Sequence, residues 1–98
     1  MKQDSKPITI LLADDDPDDR LLVQEAFEEN RLINELATVQ DGEELMDFLH
    51  KRGKFTESKI TPGLILLDLN MPRKSGLEAL KEIKEDPYLK RLPVVILT

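Results

Sequence analysis

Carboxylates gather at the ends of two apolar stretches of this 98-residue chain. Ile8-Thr9-Ile10-Leu11-Leu12-Ala13 runs into Asp14-Asp15-Asp16, and Leu64-Ile65-Leu66-Leu67 runs into Asp68. Near-continuous apolar runs of this kind read as strands buried on both faces of a parallel sheet. Neighbouring parallel strands bring their ends to one edge, where α/β proteins build their sites. Acids meeting there raise one another's pKa or recruit a cation. The expected chemistry is a divalent metal held beside one special aspartate.

The elements that would position these acids alternate along the chain. Asp16-Pro17-Asp18-Asp19 predicts a helix start, with Asp16 as N-cap, Pro17 at the first helical position and acids in the first turn. Leu22 with Ala26 and Val23 with Phe27 then give a stripe at i, i+4 spacing. Asn34 to Gln40 is a more polar strand, placed at an edge, and Asp41-Gly42-Glu43-Glu44 opens a helix carrying Leu45, Met46, Phe48 and Leu49 on one side. Arg52 to Gly63 reads as a long surface loop. Ser75-Gly76-Leu77-Glu78 opens a third helix with Leu77, Leu80 and Ile83 at i, i+3 spacing, ended by Asp86-Pro87. Pro93 to Leu97 is the fourth strand. The order is βαβαβαβ, an α/β sandwich with a parallel sheet in strand order 2-1-3-4.

Composition bounds the function. Ninety-eight residues, 40% of them hydrophobic, suit one small domain. A net charge of -6 argues against nucleic acid and anionic membrane surfaces, which require clustered Lys and Arg. With no cysteine, disulfides and thiolate metal sites are excluded. No apolar run reaches the roughly 18 to 20 residues that span a bilayer, so the expectation is a soluble, cytoplasmic protein. His50 beside Lys51 and Arg52 reads as exposed rather than as a ligand or base. Val94 to Leu97 is as apolar as an inner strand, yet no further strand follows to cover it. Exposed apolar edges recruit other chains. The expectation is a domain, residues 1–98, incomplete at its C-terminus, that forms a homodimer or larger assembly through that edge.

The residues together resemble the receiver domain of two-component response regulators. The resemblance rests on Asp14-Asp15-Asp16-Pro17, on Leu66-Leu67-Asp68-Leu69-Asn70-Met71-Pro72 with Gly76 beyond it, and on Pro93-Val94-Val95-Ile96-Leu97-Thr98. Within that family, the long loop and the Asp86 to Pro93 connection are similar to single-domain regulators associated with bacterial phytochrome kinases. The resemblance implies a flavodoxin-like doubly wound fold lacking its usual fifth strand and last helices. It implies Asp68 as phosphoacceptor from a sensor histidine kinase, with a downstream protein target. It further implies Mg²⁺ held by Asp15 directly, by Asp14 through water, at Asp68 and by the backbone carbonyl of Asn70. Thr98 matches the family's switch hydroxyl, and the Asn70 side chain matches the position that tunes water attack. Pro72 and Gly76 would shape the loop after the acceptor. Receivers also carry a lysine at the tip of a fifth strand, and neither Arg73 nor Lys74 matches it.

Other readings remain beside this one. Asp14 to Asp16 serve equally well as helix-capping acids, and Asp16, Asp18 and Asp19 are read as only that. Thr98 would serve as a strand-end hydroxyl. A metal-dependent aspartyl phosphatase would also use Asp68 as nucleophile, but wants a second acid where Asn70 stands. A non-signalling, self-associating fragment that binds metal is the remaining alternative.

Overall fold

The computed structural model describes residues 7–97. Its elements are β1 (Thr9–Ala13), α1 (Pro17–Glu29), β2 (Glu35–Val39), α2 (Gly42–His50), a 3-10 turn (Gly53–Phe55), β3 (Leu64–Leu67), α3 (Gly76–Glu85) and β4 (Val94–Ile96). The strands form one sheet in the order β2-β1-β3-β4, with every pairing parallel. This is the expected order, with the polar strand β2 at an edge.

Side chains chosen for their hydrogen-bonding capacity start each helix. Asp16 is extended and accepts the Asp18 amide at 2.9 Å, while Pro17 has no amide to leave unsatisfied. Asp41 accepts the Glu44 amide at 2.7 Å, and Glu44 reaches back to the Gln40 amide at 2.8 Å. At α3 the box closes fully, Ser75 Oγ accepting the Glu78 amide at 3.1 Å and Glu78 accepting that of Ser75 at 3.0 Å. After α3, Asp86 accepts the amides of Leu89 and Tyr88, which hold its pKa below the ordinary value.

Alternation along the strands divides the apolar residues between two faces. Leu11, Ala13, Ile65 and Leu67 meet Leu45, Met46 and Ile83 in a single core, all fully or almost fully buried. Each Leu, Ile or Met side chain so removed from water contributes about 1.5 to 3 kcal/mol before entropic costs. Leu12, on the opposite face, is also fully buried.

Two helix faces differ from expectation. Leu77 is 62% exposed, and α3 instead buries Gly76, Ala79 and Ile83. The reason is close approach: a Cβ on Gly76 would fall 2.2 Å from the Asp68 carbonyl oxygen, so the smallest residues face the sheet and the larger Leu77 is turned out. In α1, Val23 and Phe27 are half-buried while Leu22 and Ala26 lie exposed. Two adjacent apolar rows competed for one contact, and only one faces inward. The long loop also holds more structure than expected, since Phe55 in its 3-10 turn packs edge-on against Phe48 with ring centroids 5.0 Å apart. His50 is exposed as expected. Among the described residues no helix is long and apolar enough to cross a membrane.

The turned-out Leu77 makes a direct test. Ile83→Ala is expected to cost about 2 to 5 kcal/mol in urea unfolding, whereas Leu77→Ala should stay within about 0.5 kcal/mol. Equal losses would contradict the assigned face of α3.

Candidate functional site

The site is built by main-chain pairing at the carboxyl ends of β1 and β3. Ala13 stands opposite Leu67 in the register, so Asp14 and Asp68 each sit one residue beyond paired strand ends. The Asp68 amide donates to the Ala13 carbonyl at 3.0 Å and the Asp14 amide to the Val39 carbonyl at 3.1 Å. These bonds carry sheet geometry past the last strand residue. The two acids are therefore fixed by backbone before any side-chain preference acts.

The result is a cluster. Asp14, Asp15 and Asp68 each offer a carboxylate oxygen, all within 4.8 Å of one another. Asp14 is buried, Asp68 half-buried and Asp15 exposed, so the group opens to solvent on one side. Burial lifts the Asp14 carboxyl above its ordinary pKa, and the charges of Asp68, Asp19 and Asp15 push the same way against the hydrogen bond from the Asp16 amide. That bond, 2.9 Å to Oδ1, orients the side chain. The Asn70 amide makes the matching contact to Asp68 Oδ1, also at 2.9 Å, and sets that carboxylate's rotation.

The remaining named residues sort clearly. Asp16 caps α1, and Asp18 and Asp19 lie in its first turn. Arg73 Nε faces Asp41 at 3.4 Å and Lys74 pairs with Glu82, so these cations have partners other than the three acids. Gly76 allows α3 to start against the Asp68 carbonyl, and its amide bonds to the Leu69 carbonyl at 3.0 Å. Thr98 lies outside the described residues, and the Leu97 amide just before it donates to the Leu67 carbonyl at 2.9 Å. Arg20 escaped the sequence reading: its Nη1 donates to the Asp14 carbonyl at 2.7 Å, tying the first turn of α1 to the acid-bearing loop. Its place one turn after the N-cap was the available signal.

A parallel 2-1-3-4 sheet with an acid triad at the carboxyl ends of its two central strands defines a receiver-type α/β domain. Residues 10–98 match the model of the response regulator receiver domain, and the chain belongs to that family. The response regulator Rcp1 of Synechocystis sp. (strain ATCC 27184 / PCC 6803 / Kazusa) is 46% identical over 96 residues, covering 98% of this chain and 65% of that protein. The Mn(2+)-bound form of response regulator Rcp1 superposes with a TM-score of 0.86 at 48% identity, over 94% of this chain and 66% of that one. The phosphorylated cyanobacterial phytochrome response regulator RcpA gives 0.84 at 45% identity, over 93% of this chain and 64% of that one. This chain thus spans less than two thirds of the length of that curated relative. As a family, receivers are signalling modules whose general role is phosphorylation by a histidine kinase.

The raised pKa of Asp14 predicts the response of the metal-free protein to charge removal. A carboxyl whose folded pKa lies above its unfolded value favours folding at low pH and loses that contribution as pH rises through the folded value. Asp14→Asn keeps an acceptor for the Asp16 amide while deleting the charge. With chelator at pH 7 it should melt at higher temperature than wild type, and an equal or lower melting temperature would contradict the assigned electrostatics.

Proposed function

We propose that this chain accepts a phosphoryl group on Asp68 from a sensor histidine kinase of the phytochrome-associated type, with Mg²⁺ as cofactor, and signals through altered contacts with a downstream protein. The observation that carries this reading is the convergence of Asp14, Asp15 and Asp68 at one sheet edge. Its oxygen-only donor set suits Mg²⁺, which binds hard oxygens at roughly 2.0 to 2.1 Å and so tolerates ligand oxygens up to about 4.2 Å apart. Carboxylate oxygens within 4.8 Å need only a small closure, or a water in place of one direct bond. We assign direct binding to Asp15, a water-mediated role to Asp14, and further ligation to Asp68 and the Asn70 carbonyl. The ion supplies positive charge that offsets the triad and the transferring phosphoryl group.

Asp68 acts as the nucleophile. One of its carboxylate oxygens forms a bond to phosphorus as the bond from phosphorus to the imidazole nitrogen breaks, and that nitrogen keeps the electron pair. The Asn70 amide holds the carboxylate's orientation by Oδ1 during approach, which is positioning catalysis rather than proton transfer. An aspartyl phosphatase reading is disfavoured because the Asn70 carboxamide is not acidic enough to protonate a leaving group. Thr98 is proposed as the switch hydroxyl that would report the phosphoryl group.

A second proposal concerns β4. Among the described residues it forms the sheet's edge opposite β2, and Val95, Ile96 and the following Leu97 are each more than 40% exposed. We propose that this edge pairs with a second copy. Light scattering on a size-exclusion column should report a dimer or larger species, and a compact monomer at high concentration would contradict self-association.

For the phosphoacceptor role, incubation with acetyl phosphate and Mg²⁺ followed by intact mass should add one phosphoryl group to wild type and none to Asp68→Asn. Equal labelling of both proteins would remove Asp68 from its assigned role.

A further inference from the structure

We propose that Asp41, at the start of α2, is a positioning residue for the loop after the acceptor, which it holds through Arg73. Its consequence for metal binding rests on the phosphoacceptor reading above, whereas its consequence for the loop does not.

The loop of residues 69–75 joins Asp68 to α3 and adopts a conformation that local preference opposes. Arg73 has φ +67°, in the left-handed region that residues with a Cβ disfavour. Contacts from outside the loop hold it there, and that of Arg73 itself is with Asp41 at the start of α2. Asp41 divides its carboxylate between two tasks: Oδ1 accepts the Glu44 amide at 2.7 Å, and Oδ2 meets Arg73 Nε at 3.4 Å. Its side chain is only 10% exposed, the most buried carboxylate of any ion pair among the described residues. A carboxylate so placed needs a charged partner more than an exposed one does.

The backbones meet at the same point. A Cβ on Gly42 would lie 2.0 Å from the Lys74 carbonyl oxygen, so the first turn of α2 rests directly on the loop. From the other side Lys74 pairs with Glu82 of α3, and Met71 is buried beneath. The loop that carries Asn70 is thus clamped between two helices. The Asp41–Arg73 pair closes the clamp on the α2 side.

Helix capping alone would explain only one of the two Asp41 oxygens, and asparagine caps as well as aspartate. Asp41→Asn therefore keeps the cap and removes the charge. Arg73→Asn removes the cation while retaining a residue that tolerates positive φ. The full chain, metal-free, would be followed by amide hydrogen exchange at Gly76, whose amide closes the loop onto the Leu69 carbonyl. Each variant should speed that exchange about threefold to fivefold, the range open to an ion pair exposed at one end. The double variant should go no further, and the difference from wild type should fade near 1 M salt, where the screening length is about 3 Å. Mn²⁺ affinity should weaken by a similar factor.

Unchanged exchange in Asp41→Asn, or additive effects in the double variant, would overturn the clamp. Failure of wild type to bind Mn²⁺ would instead overturn the metal reading of the acid triad, and the metal-free exchange would still decide the role of Asp41.

Discussion

The site depends on the parallel pairing of β1 with β3. Register places Ala13 opposite Leu67, and the residue after each is an aspartate. Backbone bonds from Asp68 to Ala13 and from Asp14 to Val39 extend that pairing past the strands and fix the backbone positions from which Asp14 and Asp68 project. Burial of Leu11, Ala13, Ile65 and Leu67 against α2 and α3 supplies the free energy that keeps them there. The fold gathers three carboxylates at one edge of the sheet, an oxygen donor set that suits a divalent cation.

Several contacts near the triad orient its carboxylates. The Asp16 and Asn70 amides each take one carboxylate oxygen, on Asp14 and Asp68 respectively. Arg20 binds a carbonyl of the acid-bearing loop instead of a carboxylate. Arg73 and Lys74, close in sequence to the acceptor, pair with Asp41 and Glu82. Such an arrangement leaves orientation of the acids to rigid elements that cost little to maintain once the core has formed.

Most of the architecture was legible in the sequence because its signals are local. Apolar runs flanked by turn residues gave the strands, and Asp16-Pro17 and Ser75-Gly76-Leu77-Glu78 gave helix starts whose hydrogen bonds are those expected. That the acids after the first and third strands would meet followed from strand order, and the choice of Asp14, Asp15 and Asp68 among them came from the family resemblance. What escaped was set by close approach between elements. The exposure of Leu77 depends on Gly76 lying against the Asp68 carbonyl, and the fit of α2 onto the acceptor loop depends on Gly42, facts that no periodicity encodes. The pairing of Asp41 with Arg73 likewise joins residues far apart in the chain, and the packing of Phe55 on Phe48 depends on a 3-10 turn inside a polar loop.

The central claim is that the triad binds one divalent ion. Its most direct measurement is paramagnetic broadening of backbone amide resonances by substoichiometric Mn²⁺. The account predicts loss of signal centred on residues 14–16 and 68–70, relieved by excess Mg²⁺. Broadening centred instead on Glu43 and Asp47, which line a separate acidic hollow on α2, or spread evenly over the acidic surface, would contradict it.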